Sequence, residues 1–155
     1  MRLRIVGVGS RMPAWVDAGV ADYTKRFSRE FVVEFIEVKA ASRTAGRTVE
    51  QQLDEEASRL TKACAGTSII ALDEHGSAWS TRDLASRLET WRDEAISISF
   101  AIGSADGLSN AFKTNAIARW SLSPSTLPHG LVRIVLVEQL YRATSILAGH
   151  PYHRE

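Results

Sequence analysis

Hydrophobic and polar positions alternate along the chain with two different periods. Runs rich in β-branched and aromatic residues, typical of strands, lie at residues 3–8, 31–38, 67–72, 95–102 and 119–122. Apolar residues at helical spacing predict helices at residues 13–28, 49–64, 81–91, 109–117 and 130–148. Five such alternations predict an α/β fold with a mainly parallel sheet and helices on both of its faces.

A single domain accounts for the whole chain, residues 1–155. Its length is that of one ordinary domain, 45% of its residues are apolar, and it contains no internal repeat and no Gly/Ser-rich linker.

Cys64 is the only cysteine, which excludes an intrachain disulfide, and its helical spacing predicts a core position. The first residues enter a strand pattern without a secretory leader, which predicts a cytoplasmic protein.

The last predicted helix is apolar on nearly all sides. Arg133, Glu138 and Arg142 interrupt it and argue against a membrane span. One face of a sheet cannot bury a helix that is apolar all round. We therefore expect this helix to pack against a second subunit as well, through the two-fold interface of a homodimer.

The net charge of +1 conceals a basic excess in the first 50 residues. Basic side chains there that could meet RNA phosphates are Arg2, Arg4, Arg11, Lys25, Arg26 and Arg29. A solvated surface is the commoner explanation for charges this dispersed. Charge alone therefore does not establish an RNA ligand.

Three segments follow predicted strands, where ligands collect in open α/β sheets: residues 72–76, 103–107 and 121–129. None contains the Gly-Lys-Ser/Thr of a P-loop or the G-x-G-x-x-G of dinucleotide binders, so ATP and NAD are poorly supported. The amides, carbonyls and small hydroxyls of residues 122–127 suit a neutral adenine and ribose. The alternative for this segment is an ordinary polar connection.

The carboxyl-terminal segment carries two imidazoles, a phenol and a guanidinium beside a proline: His150, Pro151, Tyr152, His153, Arg154 and Glu155. Terminal residues usually fray and are small and polar. A segment with this chemistry, restricted by a proline, is predicted to be part of a functional site.

Taken together, these residues closely resemble the RlmH family of SPOUT methyltransferases. The resemblance runs along the whole chain, through residues 6–9, Met12, Pro13, Trp15, Tyr23, Arg26, Phe27, Leu72, Asp73, Ile102, Gly103, residues 122–129 and 131–133, Glu138, residues 140–143 and residues 150–154. It implies a homodimer with a trefoil-knotted fold that binds S-adenosylmethionine. It also implies methylation of ring nitrogen 3 of a pseudouridine in large-subunit (23S) ribosomal RNA, on the assembled ribosome.

Carried over by position, the resemblance assigns eight cofactor contacts: Leu72, Gly103, Leu122, Ser123, Pro124, Ser125, Thr126 and Leu127. The chain departs from the family at residues 103–107, where relatives usually carry Gly-Gly-Pro-Glu-Gly and this sequence reads Gly-Ser-Ala-Asp-Gly. Loss of a glycine removes easy access to positive φ at Ser104. We still expect cofactor binding, with altered affinity, because the flanking glycines remain.

Methyl transfer from a sulfonium is an in-line displacement that needs alignment and no metal, while a uracil-type N–H acceptor must lose its proton. We assign three catalytic roles to the tail. His153 accepts or relays the proton, Arg154 stabilises the ring oxygens or a phosphate, and Tyr152 stacks on the base or bonds to it. The alternative is that Tyr152 and His153 only fill the partner subunit's surface.

Four arginines are the candidate RNA contacts: Arg142, Arg4, Arg11 and Arg26. Arg142 lies one helical turn from Glu138, so an intrahelical ion pair is its alternative role. His129 touches the cofactor or caps backbone groups, and the structural role is favoured. For the whole protein the alternatives are a non-catalytic RNA-binding or ribosome-assembly factor of the same fold, and an α/β domain that binds a free nucleotide.

Overall fold

The computed structural model describes residues 1–9 and 11–154. Strands and helices alternate throughout, in the order β1 (Arg2–Val8), α1 (Ala14–Thr24), β2 (Val32–Val38), α2 (Val49–Ala63), β3 (Ser68–Ala78), α3 (Thr81–Asp93), β4 (Ile98–Ile102), α4 (Asn110–Asn115), β5 (Ala118–Ser121) and α5 (His129–Leu147).

The five strands form one sheet in the order β2-β1-β4-β3-β5, and every neighbouring pair is parallel. All five residues of β4, the central strand, are buried, as expected when helices cover both faces of a parallel sheet. The predicted α/β class and parallel sheet are confirmed. Because all strands point the same way, their carboxyl ends meet along one edge.

The helices divide between the two faces of the sheet. Side chains of α1, α3 and α5 pack with Leu3 and Ile5 of β1, whereas side chains of α2 and α4 pack with Val6 and Val8. This division follows from the pleat, which points neighbouring side chains of a strand to opposite faces. Cys64 lies in the second cluster with only 2% of its surface exposed, so its predicted core role is confirmed.

β3 is longer than the apolar pattern predicted. The prediction ended at Leu72, whereas the strand continues to Ala78 with its ladder to β5 interrupted between Leu72 and Ser77, both of which pair with Trp120. Gly76 sits against β5 so closely that an added Cβ would lie 2.7 Å from the backbone of Arg119. Polar residues 73–76 therefore bulge from the ladder while the strand continues behind them.

Side-chain caps mark the starts of three helices. Ser80 and Thr48 each form a capping box, and Ser109 accepts a hydrogen bond from the Phe112 amide (3.2 Å). α1 ends at Thr24, earlier than the predicted residue 28, because residues after it turn away in i to i−3 bonds.

α5 occupies the middle of the first face, between α1 and α3. Leu136, Val137, Leu140 and Ala143 are fully buried there. In the part of the chain that the structure describes, no helix is long and apolar enough to cross a membrane. The knotted path implied by the resemblance stays a prediction.

We expect Ser80→Ala to lower the free energy of unfolding by about 1 kcal/mol, because it removes the α3 cap. Ser80 Oγ accepts from the Asp83 amide (3.1 Å), and Asp83 Oδ2 accepts from the Ser80 amide (2.8 Å). Ser86→Ala, at an exposed position inside the same helix, is the matched control and should be neutral. Urea titration of both variants measures the difference, and equal stabilities would show that the cap contributes nothing.

Candidate active site

A cavity of about 450 Å³ opens at the carboxyl edge of the sheet. Its walls come from the bulge of β3 (residues 72–75), the turn after β4 (residues 102–108) and the segment that leads from β5 into α5. The three segments that the sequence placed at this edge therefore do meet. The volume lies in the range of small-molecule sites.

Seven of the eight residues predicted to contact a cofactor line this cavity: Leu72, Gly103, Leu122, Ser123, Ser125, Thr126 and Leu127. Pro124 is exposed and stands outside the lining. The structure brings the predicted set together, and contact with the cofactor itself stays a prediction.

Hydroxyl groups hold the segment of residues 122–127 in place. Ser121 Oγ donates to the Ser123 carbonyl (2.9 Å), and Ser123 Oγ accepts from the Ser125 amide (2.9 Å). Thr126 Oγ1 donates to a Glu74 carboxylate oxygen (3.2 Å), which ties the segment to the β3 bulge. The backbone groups at this rim are thus fixed in advance of any ligand.

The turn after β4 explains why both flanking glycines are needed. A Cβ on Gly103 would lie 2.3 Å from the Gly107 carbonyl oxygen, and Gly107 has a φ of +83°. Ser104 shows no positive φ, so the missing second glycine causes no backbone strain. Asp106 pairs with Arg43 of the loop before α2 (2.6 Å). The altered residues therefore fit the turn without distorting it.

Buried polar atoms without hydrogen-bond partners concentrate around the cavity. Such atoms on four of its lining residues are Asp73 Oδ2, Ser104 Oγ, Trp120 Nε1 and His129 Nε2. An unpaired buried polar group costs about 1–3 kcal/mol, so a cluster of them indicates a polar ligand. Both donors and acceptors are present, which fits a ligand that carries ring nitrogens and hydroxyl groups.

Asp73 is the buried charge of the site. Its Oδ2 lies 3.5 Å from Lys113 Nζ and 3.6 Å from an Arg119 guanidinium nitrogen. Its Oδ1 accepts from the His75 amide (3.2 Å). Across residues 1–9 and 11–154, no group of three or more His, Cys, Asp or Glu side chains is arranged to hold a metal ion.

His129 begins α5 and forms no side-chain cap, because the cap position is Pro128. Its imidazole lines the cavity, and burial, followed by the nearby Arg133 guanidinium, lowers its pKa. Arg133 is buried against Gly7, where a Cβ would lie 2.9 Å from its Nη2, and both of its Nη atoms bond to Glu37. His129 is therefore neutral at pH 7 and adds no positive charge to the cavity.

Tyr152 folds back from the end of α5 onto the second half of the helix. Its ring meets Tyr141 edge-on (4.7 Å between centroids), its hydroxyl donates to Glu138 (3.2 Å), and the Arg142 guanidinium lies 4.6 Å from its centroid. Burial, followed by a hydrogen bond with Tyr23, raises the pKa of Tyr152 to about 12. The phenol is thus a hydrogen-bond donor at neutral pH.

The rest of the tail lies with Tyr152, away from the cavity of its own chain. His153 is half-buried with an Nδ1 that has no partner, and Arg154 is exposed. None of residues 150–154 lines the cavity. The Tyr152 contacts Glu138 and Tyr141 lie roughly 14 to 18 Å beyond His129 along α5, at 1.5 Å per residue. One chain therefore does not bring the predicted catalytic and cofactor residues together.

Arg4 and Arg11, two of the predicted RNA contacts, lie in different settings. Arg4 donates to the Ala65 carbonyl (3.0 Å) and pairs with Glu34 (3.7 Å), so its charge is already compensated. Arg11 is exposed and makes no ion pair with any residue that the structure describes. Their contact with RNA stays a prediction.

Arg142 and Arg26, the other two predicted contacts, both sit beside aromatic rings near the tail. Arg142 forms the intrahelical pair with Glu138 (2.7 Å) that was its alternative role. Arg26 pairs with Asp22 and lies 4.9 Å from the Tyr23 ring centroid. Their RNA contacts also stay predictions, now in competition with these carboxylates.

Three lining residues were missed by the sequence reasoning as individual site residues: Asp73, Lys113 and Trp120. Lys113 belongs to a short helix and Trp120 to a strand, and both fit a structural pattern. Trp120 also stacks on Trp79 (5.1 Å), as a core ring would. Only Asp73, a charged residue directly after a buried strand, carried a signal in the sequence.

The family model described as "Predicted SPOUT methyltransferase" matches residues 1–153. The chain belongs to this family. A methyltransferase needs one site for the methyl donor and one for the acceptor. The cavity at the carboxyl edge of the sheet is the candidate donor site.

Relatives of this SPOUT chain agree with that membership. It is 44% identical to the "Ribosomal RNA large subunit methyltransferase H" of Methylobacillus flagellatus over 155 residues, which cover both chains completely. It is 43% identical to the protein of the same name in Pseudomonas putida strain F1, covering 99% of this chain and 100% of that one.

Solved structures resemble the SPOUT fold of this chain at low sequence identity. A probable methylase family protein from Haemophilus influenzae superposes with a TM-score of 0.61 at 12% identity, covering 99% of this chain and 70% of that one. A probable methyltransferase from Bordetella pertussis gives 0.57 at 17% identity, with 91% and 95% covered. These likenesses support the fold alone.

We expect His129→Gln to reduce the loss of stability on acidification. The folded pKa of His129 lies below its ordinary value of 6.5, so the unfolded chain binds the proton more readily. The resulting stability is present above pH 6.5 and is lost as the pH falls below it. Melting temperatures measured between pH 5 and pH 8 test this expectation, because that range spans the ordinary histidine pKa of 6.5.

His75→Gln is the matched control, because the His75 side chain also lines the cavity but is 81% exposed. It makes the same chemical change at an exposed imidazole, so an effect confined to His129→Gln is assigned to burial. Equal slopes for the parent and His129→Gln would contradict the burial argument.

Proposed function

We propose that this chain is an S-adenosylmethionine-dependent methyltransferase that modifies ring nitrogen 3 of a pseudouridine in large-subunit ribosomal RNA, on the assembled ribosome in the cytoplasm. One observation carries the proposal: the segments that resemble the family's cofactor site form a single polar cavity with unpaired buried atoms. The names of relatives at 43–44% identity supply the class of RNA.

The lining suits the parts of the cofactor. Leu72, Leu122 and Val132 offer apolar surface for a flat base, and the fixed backbone of residues 122–127 offers donors and acceptors for its edge. When bound, S-adenosylmethionine supplies a methyl group on a positively charged sulfur. A neutral His129 avoids a second positive charge in the same cavity.

Removal of the acceptor's proton is the step for which the tail is suited. Imidazole is the side chain best matched to proton transfer near neutral pH, and His153 has a buried Nδ1 without a partner. The protonated Tyr152 can turn its hydroxyl from Glu138 to a ring oxygen of the base, and Arg154 can stabilise the negative charge that develops there. These groups hold and move a proton without a metal.

A homodimer would bring the tail of one chain to the cavity of the other. A two-fold axis across α5 sets two copies of the helix antiparallel, so the tail of one lies near the cavity of the other. Trp15 (56% exposed) and Leu131 (38% exposed) form an apolar patch beside the start of α5, since a Cβ on Gly130 would lie 4.0 Å from the Trp15 ring. Burial of this patch favours such a pairing.

The first test is calorimetric titration with S-adenosylmethionine, followed by methyl transfer to ribosomes that lack the modification. We expect saturable binding and transfer that depends on the ribosome. Gly103→Ala should lose binding at least tenfold, because its Cβ would clash with Gly107. Binding without transfer to any ribosomal RNA substrate would contradict the substrate assignment, and absent binding would favour a non-catalytic RNA-binding or assembly factor.

The second test asks whether the tail acts in the partner's site, with dimers that combine a Gly103→Ala subunit and a His153→Ala subunit. We expect each variant homodimer to be nearly inactive. The mixed dimer should recover about half of the parent activity, because one of its two sites has an intact cavity and an intact tail. Differently tagged subunits allow its purification and a rate measurement.

Two outcomes of the mixing experiment would contradict the proposal. A mixed dimer as inactive as its parents would place the tail in the site of its own chain. A fully active His153→Ala homodimer would remove His153 from the mechanism. An unchanged affinity of that homodimer for S-adenosylmethionine is expected, since His153 does not line the cavity.

A further inference from the structure

Asp73 is the most deeply buried acidic side chain of the cavity. Only 8% of its side chain is exposed, against 55% for Glu74 and 31% for Asp106, which also line the cavity. One oxygen, Oδ1, accepts from the His75 amide, and Oδ2 is buried without a hydrogen bond. A buried carboxylate oxygen that has ion pairs but no hydrogen bond, in the wall of a ligand cavity, can accept a hydrogen bond from the ligand.

The fold holds this carboxylate in a fixed place. Asp73 directly follows Leu72, the last residue of β3 before the ladder to β5 is interrupted. Gly76 then presses against the backbone of Arg119 and resumes the strand. Because both ends of the bulge are anchored in the sheet, the Asp73 carboxylate is positioned by backbone structure and not by a mobile loop.

The surroundings of Oδ2 decide which kind of donor it can take. Lys113 Nζ and an Arg119 guanidinium nitrogen lie within 3.6 Å of it, so the carboxylate charge is already balanced by two cations. A third cation, such as an ammonium or a sulfonium, would be repelled there. A neutral hydroxyl can supply the missing hydrogen bond without adding charge.

We propose that Asp73 is the acceptor for the ribose hydroxyls of the bound nucleoside and that it makes the site specific for a ribonucleoside. This inference rests on the proposed function, because it takes the cavity to hold S-adenosylmethionine. Two vicinal hydroxyls can share one carboxylate, and a deoxyribose would leave Oδ2 unpaired. The carboxylate acts on the sugar, so it does not distinguish the charged cofactor from its neutral product.

The test is calorimetric titration with S-adenosylhomocysteine and with its 2′,3′-dideoxy form. The parent protein should bind the hydroxylated ligand more tightly by roughly ten- to a hundredfold, the range of a hydrogen bond to a charged group. Asp73→Asn should reduce this preference to less than about threefold. Asp73→Asn also leaves Lys113 and Arg119 unbalanced, so equal weakening of S-adenosylmethionine and S-adenosylhomocysteine is expected of the charge-preserving Asp73→Glu.

Asp93→Asn makes the same chemical change at an exposed position on α3, outside the cavity lining, and should keep the parent preference. Asp73→Glu keeps the charge beside Lys113 and Arg119 but displaces the oxygens. It should therefore also lose the preference, and it serves if Asp73→Asn does not fold.

Three results would overturn the inference. An undiminished preference for the ribose in Asp73→Asn or Asp73→Glu would assign the hydroxyls to another group. A larger loss for S-adenosylmethionine than for S-adenosylhomocysteine in Asp73→Glu, which keeps the charge, would assign Asp73 to the sulfonium. If the parent protein binds S-adenosylhomocysteine and its dideoxy form equally well, this inference alone is wrong. If it binds neither S-adenosylmethionine nor S-adenosylhomocysteine, the proposed function is wrong as well.

Discussion

The length of α5 is the constraint on which the rest of the site depends. The helix starts at the cavity, where His129 and Val132 form part of the wall, and its last turn leads to the tail that docks on Tyr141. A straight helix keeps His129 and Tyr141 roughly 18 Å apart along its axis, at 1.5 Å per residue. The cavity and the tail of one chain therefore stay apart. The proposed two-fold pairing of α5 would bring the tail of one chain to the cavity of the other, and it would also cover the apolar surface of the helix.

The parallel sheet supplies the second element of the site. Carboxyl ends of β3 and β4 meet at one edge, and the bulge of β3 projects polar groups there while its flanks stay paired with β5. Such a bulge keeps a carboxylate rigid where a free loop would let it move. The close contact at Gly76 is what allows β3 to continue beyond the bulge, so a backbone contact outside the cavity lining controls the position of Asp73.

Much of this structure follows from the sequence, and the exceptions have physical causes. Apolar periodicity predicted every helix and strand, because local burial determines it, and Ser80 and Ser109 marked helix starts through their caps. The continuation of β3 through residues 73–78 was missed because polar residues are held there by pairing with a distant strand. No periodicity could reveal where the tail lies, since its position depends on how Tyr152 folds back onto Glu138 and Tyr141. The resemblance identified the lining set as a group, while the roles of Asp73 and Trp120 needed coordinates.

Charge control links the cavity to the proposed chemistry. Methyl transfer from a sulfonium consumes a positive charge, so extra cations near the donor weaken its binding before reaction. The cavity keeps cations occupied: Lys113 and Arg119 face Asp73, Arg133 is held by Glu37, and burial keeps His129 neutral. The exposed Arg154 lies in the tail, where the proposed mechanism places the negative charge that develops on the acceptor base. In that proposal the donor and acceptor groups have opposite electrostatic requirements, and their separation along α5 allows one small chain to carry both.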